Sequence, residues 1–247
     1  LTIVTLFVTV ASWIALNPIE LNKFGIAMLG VATFTSNFVF WRNQGYFDES
    51  AELNPLLHTW SLAVEEQFYV FFPIFLIAAY RFCRKKVFWL IVVFASISLA
   101  VSEWGVRYQP VANFYLAPTR AWELFAGSIG AFIIHKRGVR SNNFLALSGL
   151  IAILVSVFYF TGDTPFPSVY TLIPVLGALF IILFADRGTY VARILGTKLL
   201  VGLGLISYSA YLWHQPVLVF FRKIKGTVHI ESGDGLLLVF LILGAAF

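Results

Sequence analysis

His58-Thr59-Trp60-Ser61-Leu62-Ala63-Val64-Glu65-Glu66-Gln67-Phe68-Tyr69-Val70-Phe71-Phe72-Pro73-Ile74-Phe75-Leu76-Ile77-Ala78-Ala79 carries no charge except Glu65 and Glu66. A membrane-spanning helix needs about 20 mostly apolar residues, and this stretch reaches that length. It then sets two carboxylates inside the apolar run, where a charge at the bilayer centre costs about 2.5–3.5 kcal/mol on insertion scales. A helix that tolerates them must turn one face away from lipid, toward protein or water. At about 100° per residue, His58, Leu62, Glu65 and Tyr69 fall in one narrow stripe, with Ser61 on its flank. His58 and Glu65 are two turns apart, about 10 Å along the axis, so only a bridging group can join them. Spacing alone leaves two readings open, a catalytic face or a buried polar network that links helices.

The rest of the chain agrees with a lipid solvent. Of 247 residues, 60% are hydrophobic and 12% charged, against about 25% charged in soluble domains. Mean hydropathy is +0.86. So few charges cannot cover a soluble surface, whereas helices in lipid are apolar outside. The reading is an all-α polytopic membrane bundle and a single domain over 1–247, with no soluble domain. It has about nine spans: Leu1–Leu16, Phe24–Phe40, His58–Ala79, Val87–Val101, Arg120–Ile134, Phe144–Phe160, Val169–Ala185, Leu199–Phe221 and Leu236–Phe247. The first and last are expected to be truncated, because the chain starts at Leu1 and stops at Phe247 inside apolar runs. Cys83 is the sole cysteine, which excludes an internal disulfide and a Cys-based metal site. No metal is expected. Gly202-x-Gly204-x-x-Ser207 lacks the strand-turn-helix setting of a dinucleotide loop.

Charge sets an orientation. Lys23, the Arg81–Lys86 cluster, Lys136–Arg140 and Arg187–Lys198 hold 11 of the 17 basic residues on one side of the alternating loops. That side is expected to be cytoplasmic. The net charge of +5 then reflects topology rather than a nucleic-acid partner. Arg222–Lys225 runs against this map. The loops 42–57 and 102–119 are placed outside, and their Tyr46, Phe47, Trp104, Tyr108 and Tyr115 suit an interfacial belt or a binding surface.

Two further polar sites interrupt apolar segments. In Arg120-Ala121-Trp122-Glu123-Leu124, Arg120 and Glu123 are spaced to pair on a helix. Ala126, Gly127, Gly130 and Ala131 follow, and such small residues let membrane helices approach. An ion pair with packing explains this segment without catalysis. In Ile206-Ser207-Tyr208-Ser209-Ala210-Tyr211-Leu212-Trp213-His214-Gln215-Pro216, Ser207, Tyr211 and His214 line one face, with Tyr208 and Gln215 on its border. Pro216 is expected to kink the helix. The topology puts all three polar sites at similar depth in the outer half of the membrane.

These motifs resemble the acyltransferase-3 family. The matching elements are Ser36-Asn37-Phe38-Val39-Phe40-Trp41, Gly45-Tyr46-Phe47-Asp48, Asn54–Tyr69, Arg120–Leu124 and Ile206–Pro216, in family order. The wording around His58 is similar to members that carry a C-terminal SGNH-type domain, which these residues do not include. The resemblance implies a multi-pass enzyme of the bacterial inner membrane that moves an acyl group, commonly acetyl, from cytoplasmic acyl-CoA. The acceptors it implies are hydroxyls of extracytoplasmic glycans such as lipopolysaccharide, peptidoglycan or exopolysaccharide. The donor is a substrate; no permanently bound cofactor is implied. The partners are the bilayer, acyl-CoA and the glycan. The family's first-helix histidine and its Arg-x-x-Arg element have no match here, so the chain is expected to begin inside the third family helix and to be inactive alone.

On this reading His58, Glu65 and Glu123 are the catalytic candidates in supporting roles, and His58 is not the missing first-helix base. Trp60, Ser61, Tyr69, Arg120, Tyr208 and His214 are the substrate-binding candidates. Arg120 and Tyr208 would stabilise negative charge, and Arg81–Lys86 would attract the donor phosphates. The physics of the sequence without the resemblance also fits a transporter or flippase with a His/Glu proton relay, or a non-catalytic scaffold.

Overall fold

The structure is a computed structural model that describes residues 1–43, 51–226 and 234–246. Tyr46, Phe47 and the rest of the Gly45–Asp48 motif lie outside the described residues. Among the described residues twelve α-helices follow one another: α1 Thr2–Ala15, α2 Pro18–Ala32, α3 Ser36–Asn43, α4 Thr59–Cys83, α5 Val87–Tyr108, α6 Pro110–Tyr115, α7 Ala117–Arg137, α8 Asn143–Tyr159, α9 Leu172–Phe184, α10 Tyr190–Leu195, α11 Lys198–Lys225 and α12 Asp234–Ala246. No strand occurs among the described residues, so the all-α expectation holds. The helix starts follow local chemistry. Asn17 and Glu20 form a reciprocal capping box with Pro18 behind the cap, and Asn142 and Thr189 cap α8 and α10. Each satisfies amide groups that have no partner within the helix. α11 runs through Pro216 without a break. Two stretches read as loops contain the short helices α6 and α10.

By length and composition, one helical run among the described residues, Thr59–Tyr108 (α4 and α5 with the turn between them), can cross a membrane. Shorter apolar helices cover Thr2–Ala15, Asn143–Tyr159, Val169–Phe184 and Leu237–Ala246. α7 and α11 have 21 and 28 residues, enough at about 1.5 Å per residue to match a bilayer. They spend part of that length on the polar residues singled out above.

The chain divides into two compact units, Leu1–Ala63 with Lys198–Phe247, and Val64–Thr197. In the second, α5 packs on α7, α8 on α9, and α7 on α9. Phenylalanines fill its α4–α5–α7 core: Phe68 stacks on Phe72 at 4.8 Å and meets Phe125 edge-on at 5.3 Å, while Phe75 meets Phe94 at 5.1 Å. α8 and α9 touch through glycine. A Cβ on Gly149 would lie 2.6 Å from the Gly177 carbonyl oxygen, which is the small-residue contact expected of helices without a hydrophobic drive between them. Of the two glycines singled out on α7, Gly130 lies against Leu179 and Gly127 faces open space.

The first unit corrects the reading of Phe24–Phe40 as one span. Those residues form a hairpin. α2 stops at Ala32, Phe34 takes φ 55°, and the Thr35 amide donates to the Gly30 carbonyl at 2.7 Å. A Cβ on Gly30 would lie 2.9 Å from Ser36 Cα, so only glycine lets α3 fold back this closely. The contacts of α11 give the direction. Ser36 Oγ donates to the Thr59 carbonyl at 2.9 Å, at the level where Tyr211 meets His58. Glu20 pairs with Lys223, three turns further along α11, and Arg222 lies 4.0 Å from Glu52. The start of α2 is therefore at the Arg222–Lys225 end of α11, and the turn into α3 is at the level of Tyr211. Phe7 packs on Trp213 at 5.1 Å, so α1 runs parallel to α11 and reaches the same end. Lys23 and Glu20 accordingly join the Arg222–Lys225 side instead of opposing it. The basic cluster that ran against the charge map is largely neutralised: Lys223 by Glu20, Arg222 by Glu52, and Lys225 by Asp234 at 2.7 Å.

Candidate active site

The approach to α4 is built from turns. Leu56 N–H donates to Asn54 Oδ1 at 2.9 Å, and Thr59 Oγ1 donates to the Leu56 carbonyl at 2.6 Å. These bonds fix His58 one residue before the helix, and its side chain is 5% exposed. Across from it stands the polar stripe of α11. The Tyr211 hydroxyl donates to the His58 carbonyl at 2.6 Å. Because a phenol has one proton, Ser61 Oγ is the donor in its own 2.6 Å contact with that hydroxyl. Gln215 Nε2 donates to the Glu52 and Asn54 carbonyls at 2.9 and 3.3 Å. Three rings thus meet: His58 to His214 at 5.4 Å, His58 to Tyr211 at 5.5 Å, and Tyr211 to His214 at 5.2 Å between centroids.

The cluster has a defined proton arrangement. His214 Nδ1 contacts the Tyr211 carbonyl, which can only accept. Nδ1 therefore carries the hydrogen, and Nε2 carries a lone pair in the neutral ring. Neither ring nitrogen of buried His58 reaches a hydrogen-bond partner; the Pro55 carbonyl lies toward the ring without meeting that geometry. Native proteins pair nearly all buried polar groups, so an orphaned imidazole beside a base-competent one marks a functional candidate.

Two of the three polar sites read from the sequence, the start of α4 and the α11 stripe, therefore join in one unit. Ser61 is at their junction, and Trp60 is partly buried beside it. Tyr208 is 57% exposed and stays out of the cluster, and Ser207 bonds back to its own helix at Gly204. Tyr211 was legible as a member of the stripe, but nothing local indicated that its hydroxyl would clasp His58.

The second unit holds the remaining candidates. Glu65 and Glu66 are partly buried neighbours on α4, whereas Tyr69 is 58% exposed. The stripe on α4 is thus sheltered in its first half and open at Tyr69. Arg120 Nη2 pairs with Glu123 Oε2 at 3.0 Å, as their spacing predicts. The Arg120 guanidinium also lies over the Phe166 ring at 4.7 Å, an attraction toward the electron-rich face. Glu123 Oε1 is buried without a hydrogen bond. Among the described residues no group of three His, Cys, Asp or Glu could hold a metal ion.

The family model of the acyltransferase domain Acyl_transf_3 matches residues 1–247. The peptidoglycan O-acetyltransferase OatA of Listeria monocytogenes is 29% identical over 201 residues, covering 75% of this chain and 32% of that protein. The O-acetyltransferase OatA of Staphylococcus aureus is 33% identical over 196 residues, 72% of this chain and 32% of its own. The chain spans about a third of the length of the curated relatives it matches. No solved structure matches.

Proposed function

We propose, from the premise that this chain belongs to the acyltransferase-3 family, that it is the membrane-embedded part of an O-acetyltransferase acting on cell-envelope glycan. The observation that carries the reading is the family match over the whole chain. The names of its relatives favour peptidoglycan as the acceptor over the other glycans considered. The donor is acyl-CoA on the cytoplasmic side, and the protein is a multi-pass one of the inner membrane. Exposed apolar side chains along α1, α4, α5 and α8, among them Ile14, Phe71, Trp89 and Phe158, support a lipid surround. With α2–α3 as a hairpin, the spans number eight.

In the reaction the acceptor hydroxyl oxygen bonds to the acyl carbonyl carbon, the carbon–sulfur bond of the thioester breaks, and the acceptor's proton ends on the departing thiolate. This needs a base for the proton and donors for the transient oxyanion. His214 Nε2 offers the lone pair. The partnerless nitrogens of His58 are free to orient the acceptor or the family's first-helix histidine. Tyr211 and Ser61 are positioning residues that hold the two imidazoles. Glu65, Glu123 and Arg120 belong to the other compact unit and are candidates for charge stabilisation within it.

The test reconstitutes the complete protein that carries this chain in lipid nanodiscs, with acetyl-CoA and soluble glycan chains, and follows O-acetyl esters by mass spectrometry. His214→Gln and His58→Gln should each lower kcat by about 100-fold, the lower end of general acid–base contributions. Wild-type protein that forms no ester under any donor would end the proposal, and undiminished transfer by both variants would end the assignment to this cluster.

A further inference from the structure

The last turns of α5 carry aromatic rings that packing does not consume. Trp104 and Tyr108 are 56% and 65% exposed. They stack on one another at 5.4 Å with 30° between their planes. On the same turns, Arg107 pairs with Glu103 at 2.6 Å, and the second Glu103 oxygen accepts the Val169 N–H at 3.1 Å. That bond brings the 166–170 loop alongside, with Phe166 and Tyr170 also exposed. The loop is held from beneath. The Pro167 carbonyl accepts from Ser102 Oγ at 3.1 Å and Asn113 Nδ2 at 2.9 Å, Ser168 and Thr171 form a capping box, and Phe166 rests on Arg120. The rings therefore stand on fixed backbone, and little ordering is lost when a ligand binds.

The chemistry selects the ligand. Stacked indole and phenol faces match the C–H face of a pyranose ring, and an adjoining carboxylate–guanidinium pair hydrogen-bonds its hydroxyls. A bilayer-interface belt also uses Trp and Tyr. It gains nothing from a charged pair tied into the same surface, whereas a sugar chain uses both. Trp13, exposed on α1, a helix without a charged residue, lacks such neighbours.

We infer that Trp104 and Tyr108, with Glu103, Arg107 and Tyr170, form a binding platform for the sugar chain of the acceptor. The inference rests on the glycan acceptor proposed above, and its test separates the two. The complete protein in nanodiscs is titrated with chitopentaose, a β-1,4-linked N-acetylglucosamine oligomer, by calorimetry and saturation-transfer NMR. W104A/Y108A should weaken Kd by about tenfold or more, equivalent to about 1.4 kcal/mol, while W104F, which keeps a stacking face, should retain most of the affinity. Binding that is equal in wild type and W104A/Y108A, or absent from the wild type, overturns the platform. So does a loss of binding in W104A/Y108A that W104F shares in full. If the wild type esterifies the oligomer and W104A/Y108A binds it unchanged, the platform fails and the transferase stands. If the wild type binds through these rings but forms no ester, the transferase fails and the platform stands.

Discussion

Tyr211→Phe removes one oxygen from the clasp between α11 and the start of α4. That hydroxyl donates to the His58 carbonyl and accepts from Ser61, each at 2.6 Å. A hydrogen bond contributes about 1 kcal/mol net, and a buried group left unpaired adds a further penalty of about 1–3 kcal/mol. Ser61 limits that penalty, because its hydroxyl can swing to the His58 carbonyl, 3.4 Å away. Y211F should therefore cost about 2 kcal/mol of unfolding free energy. S61A should cost about 1 kcal/mol, because Tyr211 keeps its donation to His58. The double variant loses the Ser61–Tyr211 bond only once but also loses the rescue, so the sum should depart from additivity by about 1 kcal/mol. The assay is reversible denaturation of the complete protein in mixed micelles, read by far-ultraviolet circular dichroism. A Y211F variant as stable as wild type would falsify the clasp.

Other expectations follow from the same structure. Partial burial pushes the Glu20 carboxyl up, but the Lys223 ammonium and the Asn17 amide outweigh it and hold the group below its ordinary value of 4.5. A depressed carboxylate contributes stability above its unfolded value and loses it as pH falls through the folded one. Wild type should exceed E20Q in unfolding midpoint at pH 7, and the gap should close as pH falls through the depressed folded value; a gap that widens in acid would contradict the pair. Gly149→Ala drives a methyl against the Gly177 carbonyl and should destabilise by about 1–3 kcal/mol, while Gly127→Ala, in open space, should be near neutral in the same denaturation assay. For the hairpin, K23C and R42C in a C83S background should both react with an impermeant maleimide from the same side of intact cells; labelling from opposite sides would restore a span over Phe24–Phe40.

Much of the site was legible because helix periodicity is local. The 3.6-residue repeat places His58, Ser61 and Glu65 on one side of α4 and Tyr211 with His214 on one side of α11. The Arg120–Glu123 pair follows from its i,i+3 spacing alone. Tyr69 and Tyr208 share those periodicities and still face outward, because periodicity says which residues share a face and leaves open what covers each end of it. The catalytic candidates of α4 were read together, yet the partner of His58 proved to be His214, 156 positions away in the chain.

What the amino-acid order decided alone was the helical class, the apolar exterior and the polar faces, since each depends on residues within a few turns of one another. The fold-back at Thr33–Thr35 was decided by tertiary structure. Its turn residues are apolar or β-branched, Phe34 adopts a left-handed conformation with no glycine to announce it, and hydropathy averaged over Phe24–Phe40 cannot distinguish a rod from a hairpin. The meeting of His58 with His214 was likewise set by packing, because hydrogen bonds from Tyr211 and Gln215 hold the approach to α4 against α11, and one from Ser36 ties its first turn to α3, across distances that no local pattern encodes.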